Sequence, residues 1–72
     1  MSMHAEMMTV WTRHALFHKR MYWFRRAWVR EGHRIRENAA ACRHHRQSAW
    51  FALRMAKDAR ARITQAAERI AA

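Results

Sequence analysis

The chain has 72 residues, which is enough for one domain spanning residues 1–72 and no more. A chain this short buries only about 60% of the surface that it exposes when unfolded, so a lone monomer has little stability to spare. Cys42 is the only cysteine, which excludes an intramolecular disulfide. The net charge of +10 favours an acidic partner, since nucleic acid, anionic membranes and acidic protein surfaces all attract such a chain.

The beginning of the chain carries no targeting pattern. Residues 1–10 lack the basic start and the apolar run of a signal peptide. Basic residues or histidines interrupt every apolar stretch well before the ~20 residues that a transmembrane helix needs. The sequence therefore predicts a cytoplasmic protein in a reducing compartment.

The first half of the chain has the periodicity of an amphipathic helix. Good helix formers dominate, with no proline and one glycine, which predicts an all-α protein. Alternating steps of four and three residues trace an apolar stripe, the pattern of a core-facing helix side. The predicted core residues of this helix are Met3, Met7, Val10, His14, Phe17, Met21, Phe24 and Trp28.

The chain is expected to fold back near Gly32, because a glycine after a basic stretch typically ends a helix. Continuing the count gives a second stripe, which consists mostly of small residues after His45: Glu31, Ile35, Asn38, Cys42, His45, Ala49, Ala52, Ala56, Ala59, Ile63, Ala66 and Ile70. Large residues then face small ones in an antiparallel helical hairpin of two long helices. The predicted neighbours are Phe24 and Cys42, Phe17 and Ala49, Val10 and Ala56, and Met3 and Ile63. Residues 66–72 overhang. An alternative has a break in residues 42–48, with Ser48 capping a third helix.

The apolar arc of the first helix is wider than one neighbouring helix can cover. It extends beyond the stripe to Met8, Trp11, Ala15, Tyr22 and Val29. A homodimer that forms a four-helix bundle would cover this extra surface, with Tyr22 and Val29 facing the second copy.

An apolar pair surrounded by basic residues lies on the outward side of the first helix. Leu16 and Trp23 are seven residues apart, and Trp and Arg dominate the energetics of many protein interfaces. The predicted partner-binding face consists of Leu16, Lys19, Arg20, Trp23, Arg26 and Arg30. Trp50 and Phe51 either extend this face or close the dimer. The alternative interpretation is a solvated basic face with two incidental apolar residues.

The histidines offer a weak metal pattern. His14 and His18 stand four residues apart, and a hairpin would bring His18 toward His45. No carboxylate is placed to complete or orient such a site, so we predict no metal site and no cofactor. On this view His14 and His45 are partly buried, whereas His4, His18, His33 and His44 are solvated. The methionines and His4 near the start resemble a copper(I) ligand set, but core packing explains those methionines better.

Catalysis has little support in the sequence. The five carboxylates are scattered, and neither Cys42 nor Ser48 has an identifiable base. No glycine-rich loop is available to hold a phosphate or a dinucleotide. The chain is predicted not to be an enzyme.

Protein binding accounts for the most features. Nucleic-acid binding would explain the charge, but no reading motif is present and the basic residues are spread along the whole chain. Membrane binding would use Trp and Arg, but the apolar faces have a ready use in packing. Leu16 to Arg30 form an Arg- and Trp-rich face on a short helical chain, which resembles the small proteins by which bacteriophages inhibit host proteins. The resemblance covers size and architecture, and it implies a host regulator, motor or defence complex as the target.

Overall fold

The computed structural model describes residues 3–72, which form two helices joined by a short turn. Helix α1 spans Met3–Arg30 and helix α2 spans Ile35–Ala71. They pack side by side in opposite directions, in a rod of 58 × 16 × 13 Å. This confirms the all-α helical hairpin with its turn near Gly32. Helix α2 runs unbroken through Ser48, so the three-helix alternative is wrong.

A left-handed glycine ends α1. Gly32 has φ 79°, its N–H donates to the carbonyl of Val29 (3.1 Å), and the N–H of His33 donates to that of Trp28 (3.0 Å). This pair of bonds is a Schellman cap, which satisfies carbonyls that the helix end would leave unpaired. Arg34 then enters α2 with φ 39°, also left-handed, and its side chain makes no capping bond. The turn therefore stores backbone strain at Arg34, since a side chain disfavours this region.

The two helices meet along a seam of small and polar side chains. Ala15, Ala52 and Ala59 are the buried apolar residues among those described, and Asn38 is buried with them. Small side chains let the helix backbones approach closely. The middle of the α2 stripe is confirmed, because its members from Asn38 to Ile63 are buried or half-buried, whereas Ile35, Ala66 and Ile70 are exposed. After Ile63 every residue of α2 is exposed, as expected for an overhang.

The predicted core of α1 is wrong. Phe17 is 54% exposed, Met3, Met7, Val10, Phe24 and Trp28 are exposed as well, and so is His14. Of that stripe only Met21 is half-buried. The residues of α1 that face α2 are instead Met8, Trp11, Ala15, His18, Tyr22, Arg25 and Val29. Tyr22 and Val29 were expected to face a second copy, and this expectation is wrong. The prediction took the most hydrophobic side of α1 as the side that packs on α2. The two helix backbones approach closely instead, and this requires a small side chain such as that of Ala15.

Because a different side of α1 faces α2, the residue pairs between the helices also differ from the predicted ones. Cys42 lies against the backbone of Tyr22, with Sγ 3.7 Å from the carbonyl oxygen, rather than beside Phe24. Trp11 packs edge-on against Phe51 with ring centroids 5.5 Å apart. The direction of the hairpin was predicted correctly, whereas its side-chain register was not.

Candidate functional site

An apolar groove runs along one side of the hairpin, between α1 and α2. It has a volume of about 510 Å³. The large side chains at its walls are Leu16 and Trp23 from α1 and Trp50 and Leu53 from α2, all of them at least half exposed. Ala15 and Ala49 are small enough to leave the space between the walls open.

Basic side chains border this groove. Lys19 and Arg46 are among its lining residues, one from each helix. Arg26 lies over the Trp23 ring, with its guanidinium carbon 5.2 Å from the ring centroid, and its Nη1 donates to the Tyr22 hydroxyl at 3.4 Å. Stacking of a guanidinium on an indole restricts both side chains and leaves donors free for a carboxylate. The groove thus combines an apolar floor with a cationic rim.

The structure brings part of the predicted binding face together. Leu16, Lys19 and Trp23 line the groove, and Arg26 joins them through its stacking on Trp23. Arg20 and Arg30 are exposed but do not line the groove. The half of the groove that α2 supplies was missed, except for the suggestion that Trp50 extends the face. The signal for Leu53 was its three-residue spacing from Trp50 on one side of α2.

A second exposed apolar surface flanks the other side of the seam. It contains Phe17, Phe24, Trp28 and, on α2, Phe51. Phe24 and Trp28 pack on each other with ring centroids 4.9 Å apart. Phe17 and Phe51 line small pockets that share no residue with the groove. The hairpin is therefore a ribbon with aromatic side chains on both faces.

Three histidines converge at mid-length. The Nδ1 atoms of His18 and His45 are 2.8 Å apart, so one nitrogen carries a proton and donates it to the other. His44 stands beside both, with ring centroids 5.9 Å from His18 and 5.2 Å from His45. The approach of His18 to His45 was predicted, and the joining of His44 was not. His14 is exposed, whereas His4 and His18 are half-buried, the reverse of the expectation for each.

Burial and neighbouring charges favour the neutral forms of His18 and His45. Desolvation lowers the pKa of His18 from its usual 6.5, and the charges of His44 and His14 lower it further. Desolvation likewise lowers the pKa of His45, with added repulsion from His18, His44 and Arg25. Both rings therefore present nitrogen lone pairs at neutral pH.

Neither helix, within residues 3–72, has a segment long and apolar enough to cross a bilayer. Comparison of the chain with protein-family models, with curated proteins and with solved structures finds no match in any of the three. Function is accordingly inferred from the geometry of the groove.

Proposed function

We propose that this chain is a small, basic, non-enzymatic protein-binding regulator that grips an acidic amphipathic helix of its target in the groove. The observation that carries the proposal is the apolar space between Leu16 and Trp23 on one helix and Trp50 and Leu53 on the other. Amphipathic helices bind in hydrophobic grooves of this kind. Blocking a host regulator, motor or defence complex is the mode of action that the phage-type resemblance suggests.

Charge determines what kind of helix fits. Lys19, Arg46 and Arg26 surround the apolar floor, and the net charge is +10. The partner helix would carry apolar residues on one side and Asp or Glu at the edges of that side. Its apolar residues would pack against Trp23, and its carboxylates would pair with the basic side chains of the rim. Such complementarity raises the association rate and suppresses wrong partners. An acidic helix is thus the occupant that this groove favours.

Nucleic acid would make different demands. Phosphate binding needs only cations, and affinity then falls steeply as salt rises. It gives no role to Leu16 and Leu53, which are half exposed in the groove. Dependence on an apolar wall residue therefore separates the two functions.

The test is recovery of a target from host lysate after nuclease treatment, compared among three forms of the chain. Trp23→Ala removes one wall of the groove, whereas Phe24→Ala removes an aromatic side chain of equal exposure (52%) on the other face. A target identified from the wild-type sample should then bind Trp23→Ala more weakly by about 2 kcal/mol or more, because hot-spot aromatics contribute that much. It should bind Phe24→Ala with nearly wild-type affinity.

Salt and charge reversal complete the test. Arg26→Glu should abolish binding, Arg26→Ala should weaken it moderately, and the loss in Trp23→Ala should change little with salt. Circular dichroism should show unchanged helicity in every variant, because these side chains lie outside the seam. Wild-type affinity of Trp23→Ala would exclude the groove. Recovery that disappears after nuclease, with similar losses for each Arg, would favour nucleic acid instead.

A further inference from the structure

We infer that His18, His44 and His45 form a binding site for a divalent transition metal of the Zn²⁺ class, with a fourth position open to water. The site would lie across the seam, so that one metal ion joins α1 to α2. It is independent of the proposed function, because none of the three histidines lines the groove. It also reverses the expectation from the sequence, which predicted no metal.

The distances suit a metal after small movements. Each histidine offers a ring nitrogen, and these nitrogens all lie within 4.8 Å of one another. Zn–N bonds of about 2.0–2.1 Å in a tetrahedral arrangement place the nitrogens about 3.3 Å apart. The 2.8 Å between the Nδ1 atoms of His18 and His45 must therefore widen slightly. His44 must move inward, which its exposure permits.

The hydrogen bond between His18 and His45 already presents a lone pair. Metal-binding imidazoles need an unprotonated nitrogen, and one of the two Nδ1 atoms, 2.8 Å apart, must lack a proton to accept this bond. The two rings share one Nδ1 proton in their mutual hydrogen bond. When the metal takes both lone pairs, the ring that held this proton becomes the Nε2–H tautomer through exchange with water. The site therefore gains the metal with no net loss of protons from these two rings.

Two features set the ring positions and the affinity. Phe17 packs edge-on against both His18 and His45, with centroids at 5.2 and 6.3 Å, and so restricts their rotation.

None of the five carboxylates belongs to the cluster, and Arg25 lies close enough to repel a charge on His45. The chain's positive charge opposes a dication. Affinity should therefore increase with ionic strength, because salt screens this repulsion.

The experiment is a calorimetric titration of the tag-free chain with Zn²⁺ in the micromolar range. A parallel titration with Co²⁺ reports coordination geometry through its visible absorption. His44→Ala is the informative variant, because this side chain is exposed and its loss leaves the seam intact. His33→Ala is the matched control, an exposed histidine at the turn.

We expect one Zn²⁺ per chain, a rise in Tm on binding, and tetrahedral Co²⁺ bands. His44→Ala should weaken Zn²⁺ binding about tenfold or more, since losing a ligand costs at least what losing a supporting hydrogen bond costs. His33→Ala should bind like the wild type. Absence of saturable binding by the wild type would overturn the site, and so would equal affinities for wild type and His44→Ala or equal losses in both variants.

Discussion

Asn38 is the one buried polar side chain among the described residues, and it fastens the closed end of the hairpin. Its Nδ2 donates to the carbonyl of His33 at 2.7 Å, and its Oδ1 accepts from Nη1 of Arg25 at 2.9 Å. One side chain thereby links the turn, α1 and α2. Burying a polar side chain costs little folding free energy when the side chain is hydrogen-bonded. Removing that side chain leaves its buried partners without a hydrogen bond.

We therefore expect Asn38→Ala to lower the free energy of unfolding by about 1–3 kcal/mol, because the His33 carbonyl and the Arg25 guanidinium lose a partner away from water. Urea denaturation at fixed protein concentration measures this. In a double-mutant cycle, Arg25→Ala should cost much less in the Asn38→Ala background than in the wild type. Full additivity of the two losses would show that the pair does not act as a unit.

The histidine cluster makes stability depend on pH. His18 and His45 have pKa values below 6.5 in the folded chain, lowered by desolvation first and then by His44, His14 and Arg25. The unfolded chain thus binds more protons below pH 6.5, so this contribution is fully present above pH 6.5 and is lost as the pH falls toward the folded pKa values. Tm measured with a chelator present should fall through this window. His18→Gln should reduce that fall, and an equal fall in both forms would assign it to other groups.

At the scale of the helices, the seam explains which substitutions matter. Ala52 is 1% exposed, so Ala52→Leu should cost about 1–3 kcal/mol, because added carbons force the helices apart. Placing Phe17 in the core would predict a loss of about 3–5 kcal/mol for Phe17→Ala. Its 54% exposure in the single chain predicts less than about 1 kcal/mol instead, at a protein concentration low enough to keep the chain monomeric. Urea denaturation of both variants measures the two losses. A larger loss for Phe17→Ala than for Ala52→Leu would support the side-chain register predicted from the sequence.

The same comparison shows what the sequence could predict. Composition and Gly32 were sufficient for two helices and one turn, because propensity and the left-handed cap are local properties. The middle of the α2 side was identified because the count of four and three residues, continued from α1, reaches mostly small residues there. The α1 side was not, since apolar residues occur almost all around that helix and hydrophobicity alone ranks Phe17 above Ala15. The groove and the histidine cluster depend on the register between helices, which neither helix encodes alone.

At the scale of the whole molecule, the ribbon leaves large aromatic side chains in water on both faces. In the proposed function the target helix covers Trp23 and Trp50 in the groove. Phe17, Phe24 and Trp28 remain exposed on the other face. The homodimer remains a prediction, and this second face is now the surface that we expect it to use. Contiguous exposed apolar surface of this kind typically marks an interface.

Sedimentation at micromolar concentration should therefore show dimers, and Tm should rise with protein concentration because association stabilises the folded state. Phe24→Ala should shift the equilibrium toward monomer, whereas Trp23→Ala should leave it unchanged. A folded monomer at every concentration would exclude the dimer. Equal effects of the two substitutions would exclude this face as its site.

Within residues 3–72, the hairpin is fastened at the turn. The bonds of Asn38 and the cap at Gly32 close this end, whereas at the other end Met3 and the residues of α2 after Ile63 are exposed. Backbone amides exchange with solvent wherever a helix opens locally, and opening costs least where few side chains oppose it. We therefore expect α1 and α2 to separate first at the termini and last at the turn. Amide hydrogens near the turn would be replaced by deuterium last, and those of the overhang first.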